Sequence, residues 1–321
     1  MIRNYAAGDR EAAGALWADN APRQGYAPRS RAEVDGMLFG HPYFSPEHAF
    51  VLEEGGALRA LICGCTGDDI PRGDERGYFT CLIADAVHDT DETAQTLFGA
   101  LEASFRAKGK TYGAVTFFNP MRLPWVIPGT PGYEHNNMPG IAADLPLHGR
   151  MLRRGYRETS RECSMFRDLS DFTVPDSAGA FAAKLAKQGF AIGRYDSERH
   201  TGLHEMLVSF ENPDWMKQVT EAAEKRMLLP VALAGSRVAG FAGPVYPEPT
   251  GRGYFAGIGI MPEYQHRGLG SLLFYRLCEE EKQVGAKYMS LFTGEDNPAK
   301  KIYESAGFRT ARVFGVMLKK L

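Results

Sequence analysis

The chain has 321 residues, 44% of them hydrophobic and 24% charged, the composition of an ordinary globular protein with material for about two cores of roughly 150 residues each. Its formal net charge of −2 argues against broad electrostatic attraction to nucleic acid or to an anionic membrane surface. No stretch approaches about 18 apolar residues, and Met1-Ile2-Arg3-Asn4-Tyr5, with Asp9-Arg10-Glu11 behind it, lacks a signal-peptide core, so a cytoplasmic protein is expected.

Hydrophobic periodicity predicts, in chain order, a strand over residues 1–5, a helix over 9–18, strands over 49–53, 58–65 and 78–85, and a helix over 93–108. A strand over 114–118, a helix over 147–153 and a strand over 164–168 follow. Pro175-Asp176-Ser177 reads as the start of a helix over 178–188. Strands alternating with helices argue an α/β fold. The five cysteines, Cys63, Cys65, Cys81, Cys163 and Cys278, sit in apolar patterns without C-x-x-C spacing. They are expected to be small buried hydrophobes rather than bridges or ligands, and no metal is expected.

The densest chemical signal comes late. Ile258-Gly259-Ile260-Met261-Pro262 runs into Gln265-His266-Arg267-Gly268-Leu269-Gly270-Ser271 and then an apolar helix. Two glycines without Cβ let a backbone approach an anion, the helix start offers unpaired N–H groups, and Arg267 adds a fixed positive charge. Such a loop reads as a cradle for a pyrophosphate, although a glycine-rich strand-to-helix turn alone is a weak sign. Some thirty residues on stands Asn297-Pro298-Ala299-Lys300-Lys301-Ile302-Tyr303-Glu304-Ser305-Ala306-Gly307-Phe308.

These two blocks, in this order and spacing, resemble the GCN5-related N-acetyltransferase (GNAT) superfamily. The resemblance implies a mostly antiparallel mixed sheet with flanking helices, in which two parallel strands splay apart around acetyl-CoA. It implies backbone contacts from Ile258, Gly259 and Ile260 to the pantetheine, a phosphate site at Gln265, His266, Arg267, Gly268, Leu269, Gly270 and Ser271, a bond from Asn297 to the pantetheine arm, and Tyr303 at the sulfur. A phenol of reference pKa about 10 suits a developing thiolate. Packing under the sheet remains a second reading of Tyr303, and helix capping a second reading of Asn297.

The earlier half repeats the later one. With Gly77-Tyr78-Phe79 placed over Gly253-Tyr254-Phe255, the residues Leu97, Phe98 and Leu101 fall on Leu273, Phe274 and Leu277, and Gly109 on Gly285. The cradle positions Gln265, Arg267, Gly268 and Gly270 then become Asp89, Asp91, Glu92 and Ala94. Three carboxylates there are expected to repel a phosphate. With Gly155 on Gly307, Met151 stands under Tyr303 and Leu145 under Asn297.

The expected organisation is therefore a degenerate GNAT-like domain over 1–170, a connecting helix within 171–189 and a catalytic GNAT-like domain over 190–321. The first copy also carries an insertion, 119–143, rich in proline and aromatics, with a His135-Asn136-Asn137 cluster. Long loops of this kind are more often functional than not. It is expected to line an acceptor pocket or a domain interface, with structural cover as the other reading. Tyr133, His135 and Tyr254 are the acceptor-contact candidates.

The activity these features imply is acetyl transfer from acetyl-CoA to an amine of a small molecule or peptide. A non-catalytic acyl-CoA-binding regulatory protein is the rival. No general base is identifiable, because Tyr254, Phe255 and Gly257 on the splayed strand are not acidic. His266 belongs to the phosphate loop and is expected to face the cofactor.

Overall fold

The computed structural model of the protein describes residues 1–117 and 119–321. They form two compact units, one of Met1–Cys163 with Arg312–Leu321 and one of Ser164–Ala311. The expected domains differ from this division at their ends. Residues 164–170 fall in the second unit, and the last residues fall in the first because they hydrogen-bond into its sheet.

The first unit contains β1 (Ile2–Asn4), α1 (Arg10–Asn20), α2 (Arg31–Val34), β2 (Ala49–Glu54), β3 (Ala57–Cys65), β4 (Arg76–Ala84), α3 (Asp91–Ala107) and β5 (Tyr112–Val115). After these come β6 (Trp125–Val126), β7 (Glu134–His135), β8 (Ile141–Ala142), α4 (Pro146–Arg153) and the start of β9 (Arg157–Asp168). Phe118, the last residue of the strand expected over 114–118, lies outside the described residues. Strands β1 to β4 pair antiparallel in sequence order, and β4 pairs parallel with β5. Gly55 and Gly56, at φ +60° and +74°, make the tight β2–β3 turn that needs two left-handed residues.

Side chains alternate across the pleat of β3. Leu61, Cys63 and Cys65 pack on the face of Trp17 and Tyr26, while Ala60 and Ile62 meet Leu97, Phe98, Leu101 and Phe105 of α3. The buried cysteines, all free, are core residues of this kind. Strand β9 begins seven residues before its predicted start, since Arg157 to Arg161 are exposed and polar and carry no apolar alternation.

The second unit contains α5 (Asp176–Ala186), β10 (Phe190–Arg194), α6 (Leu203–Ser209), α7 (Pro213–Glu224), β11 (Pro230–Ala234) and β12 (Arg237–Ala242). It continues with β13 (Arg252–Gly253), β14 (Ile258–Ile260), α8 (Leu269–Gln283), β15 (Tyr288–Gly294) and α9 (Lys300–Ser305), and the chain closes with β16 (Arg309–Lys320), which belongs to the first unit from Arg312. Strands β10, β11, β12 and β14 form an antiparallel sheet, and β13 pairs parallel with β15. Met206, Val219, Val231, Phe241 and Met261 fill one core. Leu273, Phe274, Leu277 and Cys278 of α8 are fully buried. Among the described residues no helix is long and apolar enough to cross a membrane.

Two acids on α8 are wholly buried, Glu280 and Glu281. Glu280 accepts from Arg194 Nε at 2.9 Å. Glu281 Oε1 accepts from the Tyr246 N–H at 3.2 Å, whereas its Oε2 has no partner among the described residues. Burial pushes the Glu281 carboxyl up to about 9, against the pull of the Tyr246 amide and Arg252. A group raised in this way is neutral when folded and ionises freely when unfolded. Its contribution to stability is complete below the reference value of 4.5 and is lost as pH rises toward about 9. Glu281→Gln should therefore match the parent protein near pH 5 and exceed it by about 2 kcal/mol or more near pH 8, measured as melting temperature against pH.

Candidate active site in the second unit

The run from Arg252 to Ile260 changes partners midway. Arg252 and Gly253 pair with Tyr288 and Met289 of β15, residues 254–257 belong to no strand, and Ile258 to Ile260 pair with β12. A gap therefore opens between β14 and β15. On the β12 side the Gly243 N–H donates to the Gly257 carbonyl at 3.2 Å, and the Met261 N–H to the Ala239 carbonyl at 2.9 Å. Backbone polar groups alternate sides along a strand. The amides of Ile258 and Ile260 consequently point away from β12, into the gap.

Beyond β14 the chain makes two left-handed steps, His266 at φ +57° and Gly268 at φ +78°, before α8. Alternating backbone hands turn successive N–H groups inward into an anion-binding concavity. The first backbone bond of α8 outside its own ladder is Leu272 N–H to the Gly268 carbonyl at 3.4 Å, and no side chain caps the helix. Among the described residues the amides of Arg267, Gly268, Leu269, Gly270 and Ser271 find no acceptor, which leaves the positive end of the helix dipole open. Gln265, His266 and Arg267 are exposed around it.

Two of these residues also hold the loop in place. Gln265 Nε2 donates to the Ile260 carbonyl at 2.9 Å, tying the loop to its strand. Arg267 lies over the Phe190 ring at 5.3 Å. A Cβ on Gly268 would stand 2.4 Å from Phe181 Cε1, so this turn requires glycine both for its hand and for its neighbour.

Tyr303 of α9 is 5% exposed. Its ring packs edge-on against Phe274 at 4.8 Å and Phe255 at 6.1 Å, and its hydroxyl makes no hydrogen bond among the described residues. Burial pushes that hydroxyl up to about 12, so at neutral pH it is a proton donor. Asn297 is exposed, and its Oδ1 accepts from the Ala299 N–H at 2.9 Å. It thus shapes the turn before α9 and keeps only its NH2 group for a ligand.

The opposite face of the splayed strand is covered by residues that the sequence reading missed. A Cβ on Gly257 would meet the Trp215 indole at 2.5 Å, and one on Gly259 would meet Phe210 at 2.7 Å. The Trp215 Nε1–H donates to the Ala256 carbonyl at 3.0 Å. Glycines in this strand thus accommodate aromatic rings from the α6–α7 segment. Two glycines within a strand are the only sign in the sequence of so close a neighbour.

Of the acceptor-contact candidates, Tyr254 lies on the splayed run, where its hydroxyl donates to Gln218 Oε1 and its ring stacks on Tyr246 at 4.5 Å. Tyr133 and His135 lie in the first unit, in the β6–β7 hairpin. His135 is buried against Trp125 and its Nδ1 accepts from the Asn137 N–H at 3.3 Å.

The first unit has the same parting of strands and closes it. β4 pairs with β5 only from Arg76 to Tyr78, then stays with β3 to Ala84. Asn119 of the insertion donates from Nδ2 to the Phe79 carbonyl at 3.0 Å. Asn119, Met121, Leu123, Asn137 and Ile141 leave only about 20 Å³ beside Phe79 and Thr80, room for one water. The insertion is anchored by the buried Trp125, whose Nε1–H donates to the Asn137 carbonyl at 2.8 Å, and by Arg29, which donates to Glu134 at 3.0 Å.

The counterpart of the cradle is likewise satisfied from within. Thr90 Oγ1 accepts from the Thr93 N–H at 3.2 Å and caps α3. Of the three carboxylates expected from the sequence to repel a phosphate, two are paired with arginine. Arg150 pairs with both Asp89 and Asp91, and Arg153 with Asp91 at 2.6 Å. A phosphate would find the helix end capped and the arginines engaged.

Residues 190–308 match the Acetyltransferase (GNAT) family. No curated protein sequence matches the chain. Among solved structures it is similar to a GCN5-related glucosamine N-acetyltransferase region of a fungal multi-domain GH3 β-N-acetylglucosaminidase, with TM-score 0.68 and 16% identity over 99% of this chain, which spans 38% of that one. It is also similar to a GCN5-related N-acetyltransferase from Sphaerobacter thermophilus, with TM-score 0.62 and 12% identity over 100% of this chain and 95% of that one. A tandem GNAT protein from the clavulanic acid biosynthesis pathway gives TM-score 0.57 and 15% identity over 100% and 98% of the two chains. At these identities the likeness is one of fold.

Trp125→Ala should cost the first unit about 3–5 kcal/mol, because it removes a fully buried indole and the bond that anchors the insertion. Chemical denaturation should show the loss as an earlier first transition.

Proposed function

We propose, from the match of residues 190–308 to the Acetyltransferase (GNAT) family and the fold shared with a tandem GNAT protein, that this chain is an acyl-CoA-dependent N-acetyltransferase with its active site in the second unit. The observation that carries this reading is the row of unpaired amides from Arg267 to Ser271 at the α8 N-terminus, together with the Ile258 and Ile260 amides turned into the β14–β15 gap. Helix starts of this kind bind phosphate.

In this reading the Arg267–Ser271 amides and the Arg267 guanidinium hold the pyrophosphate of acetyl-CoA, and the Ile258 to Ile260 backbone aligns its pantetheine. When bound, acetyl-CoA supplies an activated acetyl thioester. The Ile260 region donates N–H to the oxygen on which charge develops, the kind of fixed dipole that lowers an acyl-transfer barrier most. Tyr303, kept protonated by burial, donates to the sulfur as the thiolate leaves. Asn297 offers its free NH2 to the pantetheine arm.

The acceptor is an amine of a small molecule or peptide, reached past Tyr254. The splayed run carries no carboxylate, so deprotonation of the amine is assigned to solvent. That places the acceptor among amines with a substantial neutral fraction at working pH.

Two variants separate binding from chemistry. Arg267→Glu should abolish the rise in melting temperature that acetyl-CoA gives the parent protein by mass action, while leaving the ligand-free melting temperature within about a degree, as befits an exposed side chain. Absence of any such rise in the parent protein would sink the assignment. Tyr303→Phe should keep that rise and lower kcat by about 10²–10⁴, read as CoA thiol released across a panel of amines. Binding without thiol release from any amine would leave the chain an acyl-CoA-binding protein.

A further inference from the structure

The β14–β15 gap is bounded by aromatic rings on both faces. Phe255, Phe274 and Tyr303 form one side, with ring centroids 4.8 to 6.1 Å apart. On the other side the Trp215 indole lies across Gly257 and Gly259, with Phe210 beside it. This second side is held firmly. Trp215 donates to the Ala256 carbonyl at 3.0 Å, stands edge-on to Phe241 at 5.1 Å and to Phe210 at 5.4 Å, and its helix is capped by Asn212, whose Oδ1 accepts from the Trp215 N–H at 3.1 Å.

We propose that Trp215, backed by Phe210, is the wall that restricts the acyl group at this site to short chains. The inference rests on the acyl-CoA reading given above and adds its specificity determinant. An acyl carbonyl held by the amide of Ile258 or Ile260 must extend its alkyl tail from the strand toward one of the two aromatic faces. The Phe274 face is closed by the core, where Phe274 is fully buried. The remaining direction runs under Trp215, which is half-buried and lies against Gly257 and Gly259. With no Cβ at Gly257 or Gly259 the indole reaches the backbone itself, and a longer tail has no room between them.

Truncating the indole opens an apolar slot lined by Phe210 and Phe241. Each methylene that enters such a slot improves affinity about fourfold. Dissociation constants for CoA, acetyl-CoA and octanoyl-CoA, measured by calorimetry on the full chain, supply the test. The parent protein should bind CoA and acetyl-CoA and should bind octanoyl-CoA at least about tenfold more weakly than acetyl-CoA. Trp215→Ala should keep its CoA constant within about threefold and erase or invert the preference against octanoyl. Trp215→Phe should fall between the two.

Equal binding of octanoyl-CoA and acetyl-CoA by the parent protein would overturn the proposal, as would an unchanged preference in a Trp215→Ala protein that still binds CoA. If the alanine variant loses its cooperative melting transition, Trp215→Leu and Trp215→Phe carry the test, and their preferences must follow side-chain volume. Failure of the parent protein to bind CoA at all would instead strike the acyl-CoA reading, and the proposal with it.

Discussion

A strand can hydrogen-bond to two neighbours only while it lies between them. In the second unit the run from Arg252 to Ile260 gives up one neighbour before it gains the other, and this single geometric fact creates the site. It opens the sheet beside Ile258 and Ile260, and it frees their amides from the ladder. The parted end also points into the loop whose own amides stay unpaired before Leu272. Buried or cleft-facing backbone donors without partners are costly. Here those of Ile258 and Ile260, and those of Arg267 to Ser271, find no protein acceptor among the described residues.

The first unit shows the same parting of strands answered by its own side chains. Its parting of β4 from β5 is answered by Asn119 on the Phe79 carbonyl and by the apolar residues around it. The start of α3 is answered by Thr90, and the nearby aspartates by Arg150 and Arg153. The Phe79 carbonyl, the Thr93 amide and two of the aspartates thus meet protein partners, and residues of the insertion fill the space beside Phe79.

How far these arrangements are legible in sequence depends on how local they are. The phosphate loop is readable because glycines, a helix start and an arginine within one turn determine its shape together. The internal repeat is readable because Gly77 and Gly253 mark the place where each sheet parts. Trp215 is not readable, since its contacts with Gly257 and Gly259 join segments far apart in the chain, and nothing in the α7 sequence marks which face of the helix meets the strand. The exposed half of β9 is hidden for another reason. Its residues are exposed and polar on both faces, and periodicity registers burial rather than hydrogen bonding. The surroundings of His135 are not readable either, since the indole of Trp125 on which it stacks reaches it only through the hairpin that joins them.

The last strand carries a consequence for how this protein comes into being. Met317 and Leu318 pair with Val115 and Ala114, and Phe314 with Ala142, so the sheet begun by the earliest residues is completed by the final ones. During translation one edge of β5 stays unpaired until the residues of β16 have left the ribosome. Synthesis of that strand, rather than completion of the first copy, sets the moment at which β5 gains its second neighbour.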